Sequence, residues 1–95
     1  MEVVMNKQIW KYELEPINKL KLPKGAEVLS AHEQFGKVCI WVLVDPTEEK
    51  EERIFEVYPT GSNIHYDMGT DRTYIGTTIL VGGTLVFHVF EYTGI

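Results

Sequence analysis

The chain has one cysteine in its 95 residues, Cys39, so no internal disulfide can brace it and packing has to hold it together. Cys39 sits inside the apolar run Val38 to Val44, where a thiol behaves as a small buried hydrophobe. No stretch approaches the roughly 18 apolar residues of a membrane-spanning helix, and the N-terminus lacks the basic-then-apolar pattern of a secretory signal. A soluble protein of a reducing cytoplasm, with no membrane partner, is the expectation. Basic charge is scarce too: 9 Lys and Arg stand against 14 Asp and Glu, a net −5, which removes the general electrostatic reason for holding duplex nucleic acid. Long helical periodicity, internal repeats and low-complexity tracts are all missing. His32, His65 and His88 are too dispersed for metal-ligand spacing, and the sequence carries no nucleophilic triad and no P-loop with its lysine. No metal, no cofactor and no catalysis are expected.

What is present is β-structure in one small domain, residues 1–95. Two tryptophans, five tyrosines and four phenylalanines are a large aromatic load for a chain that buries only about 60 to 65% of its unfolded surface. Some of that load stays partly exposed, which favours a homo-oligomer. The charge is segregated: residues 1–25 hold five lysines against three glutamates, whereas residues 45–56 hold six acids against Lys50 and Arg53. The lysines suit the solvated side of a strand, and as a local face they also suit a small anion.

Alternation is the governing pattern. Trp10, Tyr12 and Leu14 fall on one face of a strand and Lys11 and Glu13 on the other. Leu20 and Leu22 resume the period after Pro16, and Pro23-Lys24-Gly25 ends it in a turn. A third run spans Glu27 to Phe35, with a reversal at Gly36-Lys37. Val38 to Val44 is apolar on both faces, as in a central strand covered on two sides. Asp45-Pro46-Thr47-Glu48 has the signals of a short helical turn, with Asp45 as N-cap, and Glu49 to Glu52 extend it or form a polar loop. Arg53 to Tyr58 is a further strand. Tyr74 to Tyr92 is a hairpin hinged on Gly82-Gly83, a pair able to supply positive φ at both central positions of a two-residue turn. About seven strands make an all-β domain, a small antiparallel sandwich or partly open barrel with a C-terminal Gly-Gly hairpin.

Pro59 to Thr73 has no clear period, and a loop of that length in a compact domain is usually functional or mobile. It gathers His65, Tyr66, Asp67, Asp71 and Arg72, a polar set in which arginine can hold a phosphate and histidine can act as base; ordinary loop polarity reads the same way. Thr60-Gly61-Ser62-Asn63 can present backbone N–H groups to an anion, or simply turn the chain. His88, between Phe87 and Val89, is expected to be a hydrogen-bonded, half-core histidine. Trp10, Tyr12, Trp41, Tyr58, Tyr74, Phe87, Phe90 and Tyr92 are mostly core, with Tyr12, Tyr74 and Tyr92 the members expected at the surface, where a ring can stack a nucleobase while Arg or Lys holds its phosphate.

Five segments together, Ile9-Trp-Lys-Tyr12, Leu22-Pro-Lys-Gly-Ala26, Cys39-Ile-Trp-Val-Leu-Val-Asp-Pro46, Tyr74-Ile-Gly-Thr77 and Gly83-Thr-Leu-Val-Phe-His-Val-Phe-Glu91, resemble a family of short phage and prophage proteins without an assigned activity. The resemblance runs from about residue 9 to 91, and its most specific part is the final hairpin. Members often carry a histidine just after the glycine of the Thr-Gly turn, where this chain has Ser62-Asn63. The resemblance implies a viral accessory protein at work in an infected host cell and carries over no catalytic residue.

These readings converge on a non-enzymatic, homo-oligomeric anti-defence protein that sequesters a small anionic ligand of nucleotide type. Its expected ligand-binding residues are Lys11, Tyr12, Thr60, Ser62, Asn63, His65, Tyr66, Arg72 and Tyr74. The alternative is a decoy that covers a host protein through the acidic segment Asp45 to Glu56, since acidic patches steer toward basic partners. An enzyme built on His65 is the third reading.

Overall fold

A computed structural model describes residues 6–65 and 71–94. Seven antiparallel strands form two sheets: β1 (Gln8–Glu13), β2 (Ile17–Pro23), β3 (Glu27–Gln34), β4 (Lys37–Val44), β5 (Lys50–Pro59), β6 (Asp71–Leu80) and β7 (Leu85–Gly94). The three-stranded sheet has the order β1-β4-β3 and the four-stranded sheet the order β2-β5-β7-β6. The edge strands β3 and β6 lie against each other, with Ala31 next to Gly76, but do not pair into a closed barrel. The expected all-β sandwich is therefore the fold, and no α-helix occurs among the described residues.

Alternation decides which side chains meet between the sheets. From the three-stranded sheet come Val38, Ile40, Val42 and Val44 of β4, with Ala31 of β3; from the other come Leu22, Phe55, Val89 and Leu80. Trp10, Tyr12 and Leu14 pack onto this core from β1. β4 is the middle strand of its sheet: Val38, Ile40, Val42 and Val44 are buried between the sheets, whereas on the opposite face Cys39 is buried but Trp41 and Leu43 stay half-exposed, so the strand is not covered on two sides as its apolar run predicts. Cys39 is fully buried but lies on the other side of β4, in register with Glu13 and His32, outside the core cluster. Burial pushes its thiol upward, helped by Glu13 and Glu33 and opposed by Lys11.

The corners are tied by side chains. Asn18, at the start of β2, accepts from the Glu15 amide at 2.7 Å and donates to the Glu15 and Phe55 carbonyls at 2.6 and 3.2 Å. Arg53 grips Glu91 through Nε and Nη2 at 2.6 and 2.8 Å and donates to the Ala26 carbonyl, joining β5, β7 and the end of the β2–β3 link. The glutamate hydrogen bond, with its charge behind it, raises the guanidinium's pKa against the cost of burial.

Four local readings change, the first being the loop Pro59 to Thr73, whose Pro59 ends β5 and whose Asp71 to Thr73 begin β6. Asp45 starts no helix: its Oδ1 accepts from the Thr47 amide and hydroxyl at 3.0 and 2.7 Å in a tight turn. Lys50 to Glu52 are neither loop nor helix but the beginning of β5, with Glu52 paired to Lys21 of β2. In the final hairpin both glycines have positive φ, 60° and 91°, as expected, but the strands stop pairing at Leu80 and Leu85, so a four-residue loop containing a 3-10 turn (Val81–Gly83) replaces the two-residue turn.

The β3–β4 turn is tighter. Phe35 and Gly36 have φ of 52° and 77° between the paired residues Gln34 and Lys37, the pattern of a primed two-residue turn that favours Asn or Gly at its first position. A phenylalanine there is held in the left-handed region at a cost of about 1–2 kcal/mol.

Candidate functional site

In an antiparallel sheet, residues opposite each other share a face, and the register defines the outer face of the four-stranded sheet as successive rows. One row runs Lys19, Ile54, Tyr92, Arg72; the next runs Ile17, Glu56, Phe90, Tyr74; a third runs Tyr58, His88, Thr77. A bulge between Tyr74 and Gly76 shifts β6 by one residue, so that Tyr74 and Thr77 point the same way. The full row spans three strand spacings, about 14 Å. Its centre is aromatic. Phe90 meets the edges of Tyr74 and Tyr58 at centroid distances of 5.5 and 6.1 Å, while Ile17, Tyr74 and Ile79 stand well into solvent.

A polar network is set into this apolar face. Arg72 Nε donates to Glu56 Oε1 at 2.6 Å, the Tyr58 hydroxyl donates to Glu56 Oε2 at 2.7 Å, and Arg72 Nη1 donates to the His65 carbonyl at 2.7 Å. The guanidinium also lies 5.5 Å from the centre of the Tyr92 ring. Burial alone raises the Glu56 carboxyl, but the hydrogen bonds from Arg72 and Tyr58 and the arginine's charge outweigh it, and Glu56 titrates below the usual glutamate range. Tyr58 moves the other way, raised by burial and by its bond to the carboxylate. The hydrogen bond to Glu56 likewise holds Arg72 above its ordinary value.

A second chain of hydrogen bonds runs beside it. His88 Nε2 is 2.7 Å from the Thr60 hydroxyl and Nδ1 is 2.9 Å from the Thr77 hydroxyl, which in turn meets the phenol of Tyr74. His88 is thus the half-buried, hydrogen-bonded histidine its strand predicts. Its ring bonds are to hydroxyls, so the carboxylate partner of a general base is not what this arrangement supplies.

Of the expected ligand-binding residues, Thr60, His65, Arg72 and Tyr74 come together on this face. Ser62 and Asn63 sit in the exposed turn after β5, where the Ser62 amide donates to the Pro59 carbonyl and the Thr60 amide to the Val86 carbonyl; the fold already uses these two N–H groups. Lys11 and Tyr12 belong to the other sheet, on opposite faces of β1: Lys11 reaches Gln34 at 2.6 Å and Tyr12 packs on the core, where burial raises its phenol. Tyr66, with Asp67, lies outside the described residues. Glu56, expected in an acidic contact surface, is instead turned onto the aromatic face and paired. The residues that reading by segment missed are Tyr58, Thr77, Phe90 and Lys19. Their signal was a polar residue, Glu56, at an alternating position between Ile54 and Tyr58, but register across strands is needed to use it.

Among the described residues no group of His, Cys, Asp and Glu is placed to hold a metal ion, and no helix is long and apolar enough to cross a membrane.

Fold and face together define an all-β, two-sheet domain with a half-exposed aromatic sheet surface crossed by the buried ion pair of Arg72 and Glu56. The chain belongs to a family described as a domain of unknown function, DUF7352, which it matches over residues 5–94. No curated protein and no solved structure matches it.

Proposed function

We propose that the protein is a non-catalytic binding module that holds a small planar anion of nucleotide type on the outer face of its four-stranded sheet. It works as an assembly of identical chains. The carrying observation is the continuity of the face: exposed Tyr74 and its partner Phe90 offer a stacking platform, and Lys19 lies across the same face, in register with Ile54 and Tyr92. A base stacked on an aromatic ring with its phosphate at a lysine is an economical way to hold a nucleotide. Arg72 supports the platform rather than the phosphate, since Glu56 already neutralises it. In the phage setting that the sequence resemblance implies, such binding withdraws a nucleotide-derived defence signal from its receptor.

Isothermal titration of the pure protein with 3′,5′-cyclic nucleotides and ADP-ribose derivatives tests this. Saturable binding is expected to at least one of them, weakened tenfold or more by Tyr74→Ala and by Lys19→Glu. Silence across the panel, with unchanged hydrogen exchange in β6 and β7, overturns it.

A further inference from the structure

We infer that two copies of this chain form a two-fold dimer in which Phe35 of each enters the apolar cleft of the other. Phe35 is 90% exposed at the tip of the β3–β4 turn, in a left-handed conformation that Asn or Gly adopts without strain. Within one chain its ring therefore adds nothing to the core and disfavours the turn that carries it. A backbone held in a sparsely populated conformation points to a role for the side chain it carries.

The matching hole is next to it. A cleft of about 370 Å³ opens between the two sheets, lined by Leu14, Val38, Val57, Leu80 and Phe87. A phenyl ring needs less: benzene occupies an apolar cavity of about 150 Å³. Gly36 and Lys37, the two residues after Phe35, also line this cleft, so knob and hole are neighbours on one surface. That adjacency is what an isologous contact requires, because one two-fold axis between them seats both rings at once and closes the assembly.

The inference deepens the assembly part of the function proposed above and is independent of the ligand part.

Sedimentation equilibrium of the full chain separates the two. A species of twice the chain mass is expected, dissociating tenfold or more readily in Phe35→Asn, a change that suits the turn and leaves the fold intact by circular dichroism. A photo-crosslinking benzoylphenylalanine at position 35 is expected to join the second copy at the strands carrying Val57 or Phe87. A wild-type monomer at every concentration, an undiminished dimer in Phe35→Asn, or crosslinks confined to other strands each overturns the dimer. Nucleotide titration of Phe35→Asn reads the ligand site separately.

Discussion

Arg72 and Glu56 belong to strands that are not neighbours, yet their side chains meet at 2.6 Å by reaching over β7 between Phe90 and Tyr92. The pair staples three strands on the face that otherwise presents rings. Both side chains are largely buried there, so removing one partner strands the other's charge.

Arg72→Ala is therefore expected to lower stability by about 3 kcal/mol, whereas the double replacement Arg72→Met with Glu56→Leu recovers most of that loss. Urea unfolding of the two singles and the double checks it; a loss in the double equal to the sum of the two single losses would show that the pair is not coupled.

Glu56 also sets a pH dependence. Because its folded pKa lies below the ordinary glutamate value, its contribution is complete above about pH 4.3 and is lost as pH falls through the lowered folded value. Stability measured between pH 7 and pH 3 is expected to decline more gently in Glu56→Gln than in the wild type. Parallel curves would assign the acid sensitivity elsewhere.

Asn18 is a buried polar side chain whose three hydrogen bonds close the β1–β2 corner. Asn18→Ala leaves backbone groups of Glu15 and Phe55 without these partners and is expected to cost about 2–3 kcal/mol. Thermal unfolding is expected to shift by roughly 10 °C or more for a domain of this size.

Cys39 is the only thiol, fully buried, with its pKa raised by burial. Ellman's reagent at pH 8 is expected to react with it on the timescale of unfolding, and at once in denaturant. Rapid labelling of the native protein would place Cys39 at an accessible surface.

Sequence alternation made the strands legible wherever burial is one-sided, as in Trp10, Tyr12 and Leu14; the run Val38 to Val44 marked a central strand but not the half-exposed outer side at Trp41 and Leu43. It failed at the start of β5 because Lys50 to Glu52 carry no apolar period; they pair with Pro23, Leu22 and Lys21 through the backbone and through opposite charge at Glu52 and Lys21. The candidate face was half legible. Thr60, His65, Arg72 and Tyr74 come from one stretch of sequence, but their partners Glu56, Tyr58 and His88 are brought in by strand register, which a linear pattern does not encode. Tyr12 shows the converse limit: a phenol tolerates water, yet its position beside Trp10 and Leu14 puts it on the core.

β7 follows β6 in the chain but lies between β6 and β5 in the sheet. The order of synthesis thus differs from the order of assembly. Before β7 exists, β5 has a bare edge and β6 has no strand to pair with, so a nascent chain holds the ladder of β2 and β5 open to any passing strand. The β6–β7 hairpin covers that edge by pairing β7 with β5, contacts far apart in sequence of the kind that slow folding.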